Sequence, residues 1–155
     1  MAFLLGIDGG GTKTIAIAAD LQGNVLGRGS SGASNYQTVG LDQAVAAIKE
    51  ASEIATAAAG TTSHEARIAC LGLAGVGRES DRVLVLPTIE KLNLAEKIIL
   101  EHDAAIALAG ALVCEPGIVI LAGTGAMAFG MNSAGEQRLT SGASDAIAFG
   151  DDCLL

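Results

Sequence analysis

Hydrophobic positions along the chain fall in short runs separated by glycine-rich breaks, with one long stretch of helical period between them. Phe3-Leu4-Leu5-Gly6-Ile7 marks a buried strand over residues 2–8. Thr14-Ile15-Ala16-Ile17-Ala18-Ala19-Asp20 marks a second, Gln22-Gly23-Asn24 a turn, and residues 25–30 a third strand. Two connections this short favour an antiparallel meander over crossovers. Residues 32–40 read as a loop. From 41 to 59 the period changes: Leu41, Ala44, Val45, Ile48, Ser52 and Ala55 share one helical face, with Gly60 as the C-terminal stop.

The alternation then resumes. Residues 66–73 predict a fourth strand, running into Gly72-Leu73-Ala74-Gly75-Val76-Gly77. Residues 80–92 predict a helix broken or disturbed at Pro87. A strand follows at 97–101, an alanine-rich helix at 103–113, strands at 118–122 and 126–131 across Gly123-Thr124-Gly125, and a last strand at 137–140 after a turn. The order to residue 131, β-β-β-α-β-α-β-α-β-β, predicts an α/β fold, a mixed sheet that starts with a three-stranded antiparallel meander and carries helices on its faces.

Composition narrows the choice of partner. The chain has 155 residues, enough for one domain with a real core. Half are apolar and only 3% aromatic, so Ala, Val, Ile and Leu build that core. Nine basic residues against seventeen acidic ones leave a net charge of −8. With no Lys/Arg cluster, nucleic acid is an unsuitable partner. The apolar runs are strand-sized, far below the ~20 residues that span a bilayer, and no basic n-region precedes the first, so a cytoplasmic location without membrane contact is expected. Cys70, Cys114 and Cys153 form no CxxC pair and read as ordinary thiols.

Two glycine-threonine loops carry the candidate chemistry: Asp8-Gly9-Gly10-Gly11-Thr12-Lys13-Thr14 and Gly123-Thr124-Gly125. Glycine lets backbone amides approach an anion, and a run of amides makes a phosphate cradle. A P-loop fails by one residue, because Thr12 intrudes between Gly11 and Lys13-Thr14. A dinucleotide fingerprint lacks its third glycine, where Thr14 stands, and a strand rather than a helix follows. A strand-turn-strand phosphate hairpin fits every residue. Gly9, Gly10 and Gly11 offer amides, Thr12 an amide and a hydroxyl, and Asp8 at the mouth a carboxylate for Mg²⁺ through water. Lys13 could touch a phosphate or stay in solvent. Asp103, in Glu101-His102-Asp103-Ala104, stands at a strand-to-helix junction, where it could cap the helix or serve as a general base. His102 would point to the other side of an extended segment and pack. His64 carries no signal.

These residues, with Ser34-Asn35, Leu73-Ala74-Gly75 and His102-Asp103-Ala104-Ala105 in the same order, resemble the BadF/BadG/BcrA/BcrD ATPase family. Within it they look most like the N-acetylglucosamine and glucosamine kinases of the actin/hexokinase/Hsp70 superfamily. The resemblance covers residues 1–142 and implies a ribonuclease-H-like, actin-like ATPase domain. It implies ATP and Mg²⁺ as cofactors and phosphorylation of an amino sugar at its 6-hydroxyl. Residues 9–12 and 123–125 would then be the phosphate loops, and Asp8 would serve the metal. Asn35 would bind sugar hydroxyls, Gly75 would lie near the sugar or a hinge, and Asp103 would bind the 6-hydroxyl and act as base. The family continues with a Gly-Gly-Trp-Gly-like stretch and Gly-Asp-Glu-Gly-Ser. Here the text reads Gly142-Ala143-Ser144-Asp145 and Gly150-Asp151-Asp152-Cys153, with Asp151 as a weak stand-in for a sugar-binding acid. The expectation is an N-terminal domain over 1–142 and a divergent tail over 143–155 where a second domain would begin. Little turnover by the chain alone and some self-association are expected with it. Two other readings stay open: an ATPase that activates a dehydratase or reductase, and a sugar-sensing domain without catalysis.

Overall fold

The computed structural model describes residues 2–62, 65–113, 115–122 and 126–142. Its elements are β1 Phe3–Gly9, β2 Thr14–Asp20, β3 Val25–Ser31, α1 Tyr36–Val39, α2 Leu41–Ala58, β4 Ala66–Leu73, α3 Glu79–Glu90, β5 Lys97–His102, α4 Asp103–Leu112, β6 Gly117–Ala122, β7 Ala126–Met131 and β8 Gln137–Gly142. They form two compact units, Met1–Asp103 and Ala104–Leu155.

The first unit is built on a five-stranded sheet of order β3-β2-β1-β4-β5. The meander β1-β2-β3 is antiparallel, whereas β4 and β5 join parallel to β1. This is the mixed α/β sheet that the sequence predicts. Alternation decides which face is buried: Phe3, Leu5 and Ile7 of β1, Ala16 and Ala18 of β2, and Ala69, Leu71 and Leu73 of β4 are all within 2% of full burial. They share one cluster with Ile48, Ala51 and Ala55 of α2 and Val85 and Ile89 of α3. Small residues let α2 lie very close to β3. A Cβ on Gly29 would overlap the Ala51 carbonyl oxygen, and one on Gly27 the Ala55 carbonyl oxygen. That close approach is how a core nearly free of aromatics reaches full packing.

Two elements differ from the sequence-based expectation. Residues 32–40, read as a loop, contain the single turn α1. Four residues are too few for a period to show, and the cap is the readable signal: Asn35 Oδ1 accepts from Gln37 N at 3.1 Å. α3 runs through Pro87 without ending there. Pro87 is exposed, and Val85 and Ile89 on either side are buried, so packing outweighs the one backbone hydrogen bond a proline removes.

The second unit pairs β6, β7 and β8 as an antiparallel meander. Phe129 packs with Ala104, Ala105 and Leu108 of α4, and Val119, Met127 and Met131 lie against them. No helix among the described residues is long and apolar enough to cross a membrane.

Candidate functional site

The β1–β2 hairpin puts its glycines to different uses. Gly9 closes β1 opposite Thr14, where no side chain fits: a Cβ would overlap Ser34 Oγ and Leu73 Cδ2. Gly10 N donates to Lys13 O at 3.0 Å and closes the turn. Gly11 has open space around its would-be Cβ and no left-handed φ. The fold itself does not require glycine there. The amides of Gly11, Thr12 and Lys13 have no protein acceptor among the described residues. Three exposed donors in a row, with no side chain above Gly11, leave room for a bulky anion.

Two further segments are tied to this hairpin. Ser34 N and Asn35 N both donate to Gly10 O, at 3.0 and 3.1 Å. Thr14 Oγ1 is hydrogen-bonded to Gly32 O and to Ser34 Oγ, each at 2.8 Å. From the end of β4, Ala74 N donates to Gly9 O at 2.8 Å. Gly75 has φ +90°, and a Cβ on it would stand 2.6 Å from Asn35 Oδ1. Gln37 Nε2 donates to Gly75 O at 2.9 Å. Asn35, with its Oδ1 spent on the α1 cap, keeps the Nδ2 group to offer a ligand.

Asp8 stands on the opposite side of β1 from the core residues, in the row that pairs it with Ile15 and Gly72. Partial burial raises its carboxyl above the usual range. The Asp103 charge raises it further, and Lys13 opposes both. Asp103 opens α4 directly after β5 and is partly exposed. Its Oδ1 is 2.8 Å from His102 Nδ1. Nearby in sequence, Arg82 Nη2 and Glu101 Oε2 form a half-buried pair at 2.8 Å.

The structure therefore brings Asp8, residues 9–13, Asn35, Gly75 and Asp103 into the first unit. Gly123, Thr124, Gly125 and Asp151 lie outside the described residues. Sequence reasoning missed two features. His102, expected only to pack, is buried and also contacts the Asp103 carboxylate. Asp81, which carried no signal, accepts from Tyr36 OH at 2.6 Å and from Arg78 N at 3.0 Å. The Tyr36 hydroxyl, ahead of the Arg78 contacts, holds the Asp81 carboxyl below its usual range. Through Tyr36 this pair fastens the helix behind Asn35 to the start of α3.

Residues 5–149 match the model of the BadF/BadG/BcrA/BcrD ATPase family. The chain belongs to that family. Among curated members of related sequence, an N-acetyl-D-glucosamine kinase from Dictyostelium discoideum is 38% identical over 148 residues, 89% of this chain and 46% of that protein. An N-acetylmuramic acid/N-acetylglucosamine kinase from Clostridium acetobutylicum is 32% identical, covering 92% of this chain and 46% of its own length. The chain thus spans about half the length of the curated relatives it matches. A candidate N-acetylglucosamine kinase from Chromobacterium violaceum superposes with a TM-score of 0.73 at 26% identity, over 88% of this chain and 47% of that one. A ROK family glucokinase from Streptomyces griseus, at 22% identity and a TM-score of 0.60, shares the fold. These likenesses place the BadF/BadG chain in the actin-like ATPase fold that its sheet order displays.

Proposed function

We propose that this chain carries the phosphate-gripping and proton-accepting part of an ATP-dependent amino-sugar kinase. The observation that carries the reading is the convergence, in one unit, of three open loop amides, Asp8, the Asn35–Gly75 contact and Asp103. Each fits a separate need of phosphoryl transfer, a reaction governed by positioning and charge neutralisation.

The amides of Gly11, Thr12 and Lys13 would hold phosphate oxygens, with Lys13 adding a positive charge. Asp8 fits a hydrated Mg²⁺: its charge is disfavoured by burial and by Asp103, and a bound cation relieves both. Bound ATP supplies the phosphoryl group. Asn35 Nδ2 would donate to a sugar hydroxyl, and the absence of a side chain on Gly75 gives Asn35 its place. Asp103 would accept the proton of the 6-hydroxyl as its oxygen bonds to phosphorus and the bond to the departing ADP oxygen breaks. General-base help of this kind contributes ~10²–10⁴-fold. The amino-sugar preference rests on the curated relatives of this family, which are kinases of N-acetylglucosamine and of N-acetylmuramic acid.

In this reading residues 1–142 form the N-terminal domain, 123–125 the second phosphate loop, and 143–155 the start of a second domain with Asp151 near the sugar. Turnover by the 155 residues alone is then low, because closure around the substrate needs both domains. Calorimetric titration of the chain with N-acetylglucosamine, glucosamine and glucose tests the reading. Saturable binding of one amino sugar, weakened at least ~10-fold by Asn35→Ala, supports it. Equal heats for the chain and the Asn35→Ala protein would remove Asn35 from the sugar site. Where turnover is measurable, Asp103→Asn should abolish it while sugar still binds.

A further inference from the structure

We infer that His102 is a positioning residue for Asp103, holding the carboxylate that the proposed reaction uses as its base. The inference rests on that reading and adds a residue to it.

His102 ends β5, paired across the sheet with Leu73 at the end of β4. Leu73 is buried in the core, and His102 stands in the same row with its side chain 10% exposed. An imidazole in such a row is ordinarily packing. Here Nδ1 lies 2.8 Å from Asp103 Oδ1, at a strand-to-helix junction where an aspartate could otherwise turn back and cap α4. An ionised carboxylate can only accept, so a hydrogen bond across this 2.8 Å contact needs the proton on Nδ1. That requires the Nδ1–H form of the ring, stabilised by the carboxylate it faces.

The contact answers a specific problem. Asp8 and Asp103 carry like charge: burial first, and then the Asp103 charge, raise the Asp8 carboxyl, with Lys13 opposing. A side chain free to rotate would swing away from its like-charged neighbour. One anchored at Oδ1 by a buried ring keeps its orientation. Burial of the ring is what makes the anchor stiff, since a solvent-exposed histidine would trade this bond for water. Misplacement by about 1 Å can lower a rate by ~10²-fold, so an anchor on the base has consequences for turnover.

The deciding measurement is a long-range ¹H–¹⁵N spectrum of the ¹⁵N-labelled chain at pH 8, with His64→Gln to assign the two histidines. The expected result is a protonated Nδ1 on His102, reverting to the usual Nε2-protonated ring in Asp103→Ala. A bare Nδ1 in the unmodified chain overturns the inference, whether or not the chain turns over sugar. Kinetics separates this from the parent reading. If Asp103→Asn abolishes turnover, His102→Leu should lower kcat by ~10–100-fold with KM for sugar within ~3-fold, and His102→Asn should recover most of it through its own N–H. Loss in Asp103→Asn with unchanged kcat in His102→Leu would sink the role of His102 alone. Full activity in Asp103→Asn would sink the base assignment itself.

Discussion

The meander contains two hairpin turns of similar length, and they treat their backbone amides in opposite ways. Between β2 and β3, Asp20 fills its own turn. Its carboxylate accepts from Gln22 N, Asn24 N and Asn24 Nδ2, at 2.9, 2.9 and 2.8 Å, while Gly23 takes φ +87° and donates to Asp20 O. Between β1 and β2, the acid is Asp8 and accepts nothing from its turn. The amides of Gly11, Thr12 and Lys13 have no protein acceptor among the described residues. A turn that only reverses the chain supplies its own acceptors, because unsatisfied amides cost stability. A turn that leaves three donors open, and places a glycine where no backbone conformation calls for one, has the form that the proposed phosphate cradle requires.

Substitutions can break that contrast, and the largest effect should come from Gly9. Gly9→Ala drives a Cβ into Ser34 and Leu73, so thermal or denaturant unfolding should show a loss of ~1–3 kcal/mol. Next is Gly11→Ala. Its Cβ meets nothing, so unfolding should change by under ~0.5 kcal/mol, yet Mg-ATP affinity should drop ~10-fold by calorimetry as the methyl blocks close approach. A loss of stability comparable to that of Gly9→Ala would mean the glycine serves the fold after all.

Asp20→Ala should act the other way, lowering the unfolding midpoint while leaving Mg-ATP binding unchanged. The sign of its pH dependence follows from the hydrogen bonds of Asn24, which hold Asp20 below its usual range. A lowered folded value gives stability that is complete above the unfolded carboxylate value of ~3.9 and is lost as pH falls through the folded one. The unmodified chain should therefore lose more stability on acidification than Asp20→Ala.

Asp8→Asn should have the smallest effect on folding and an opposite sign. The folded value is raised, so the protonated form is favoured and stability falls as pH rises from ~3.9 through that value. Removing the charge should stabilise the chain at pH 7 by under ~1 kcal/mol after solvent screening, with Mg²⁺-dependent nucleotide binding lost. Flat stability with intact binding would detach Asp8 from any metal.

Much of the fold is legible in the sequence because its strands are short apolar runs closed by glycine-rich turns. Phe3-Leu4-Leu5-Gly6-Ile7 announces the strand, and the structure shows that Phe3, Leu5 and Ile7 form its buried face. Thr14–Asp20 and Ala126–Met131 take the bounds their patterns predict. α1 was not legible, since one turn has no period and only Asn35 marks it. The course of α3 past Pro87 was set by tertiary packing of Val85 and Ile89, which no local rule sees. For the site, chemistry and spacing single out Asp8, the glycines and Asp103 as candidates, and the proposed kinase site is built on them. The Tyr36–Asp81 bond joins residues 45 positions apart in the chain, and nothing local predicts it. Its place in an extended segment marks His102 as a packing residue, and it is buried. Its second contact arises because β5 gives way to α4 at the next residue, bringing adjacent side chains face to face.

The most direct test of the central claim, that the first hairpin is a phosphate cradle, is an amide-resolved NMR titration of the chain with Mg-ATP. The account predicts saturable shifts at Gly11, Thr12 and Lys13, reproduced in part by inorganic triphosphate, with Gln22, Gly23 and Asn24 unmoved. Shifts of equal size at both turns, or none at residues 11–13 at saturating nucleotide, would contradict it.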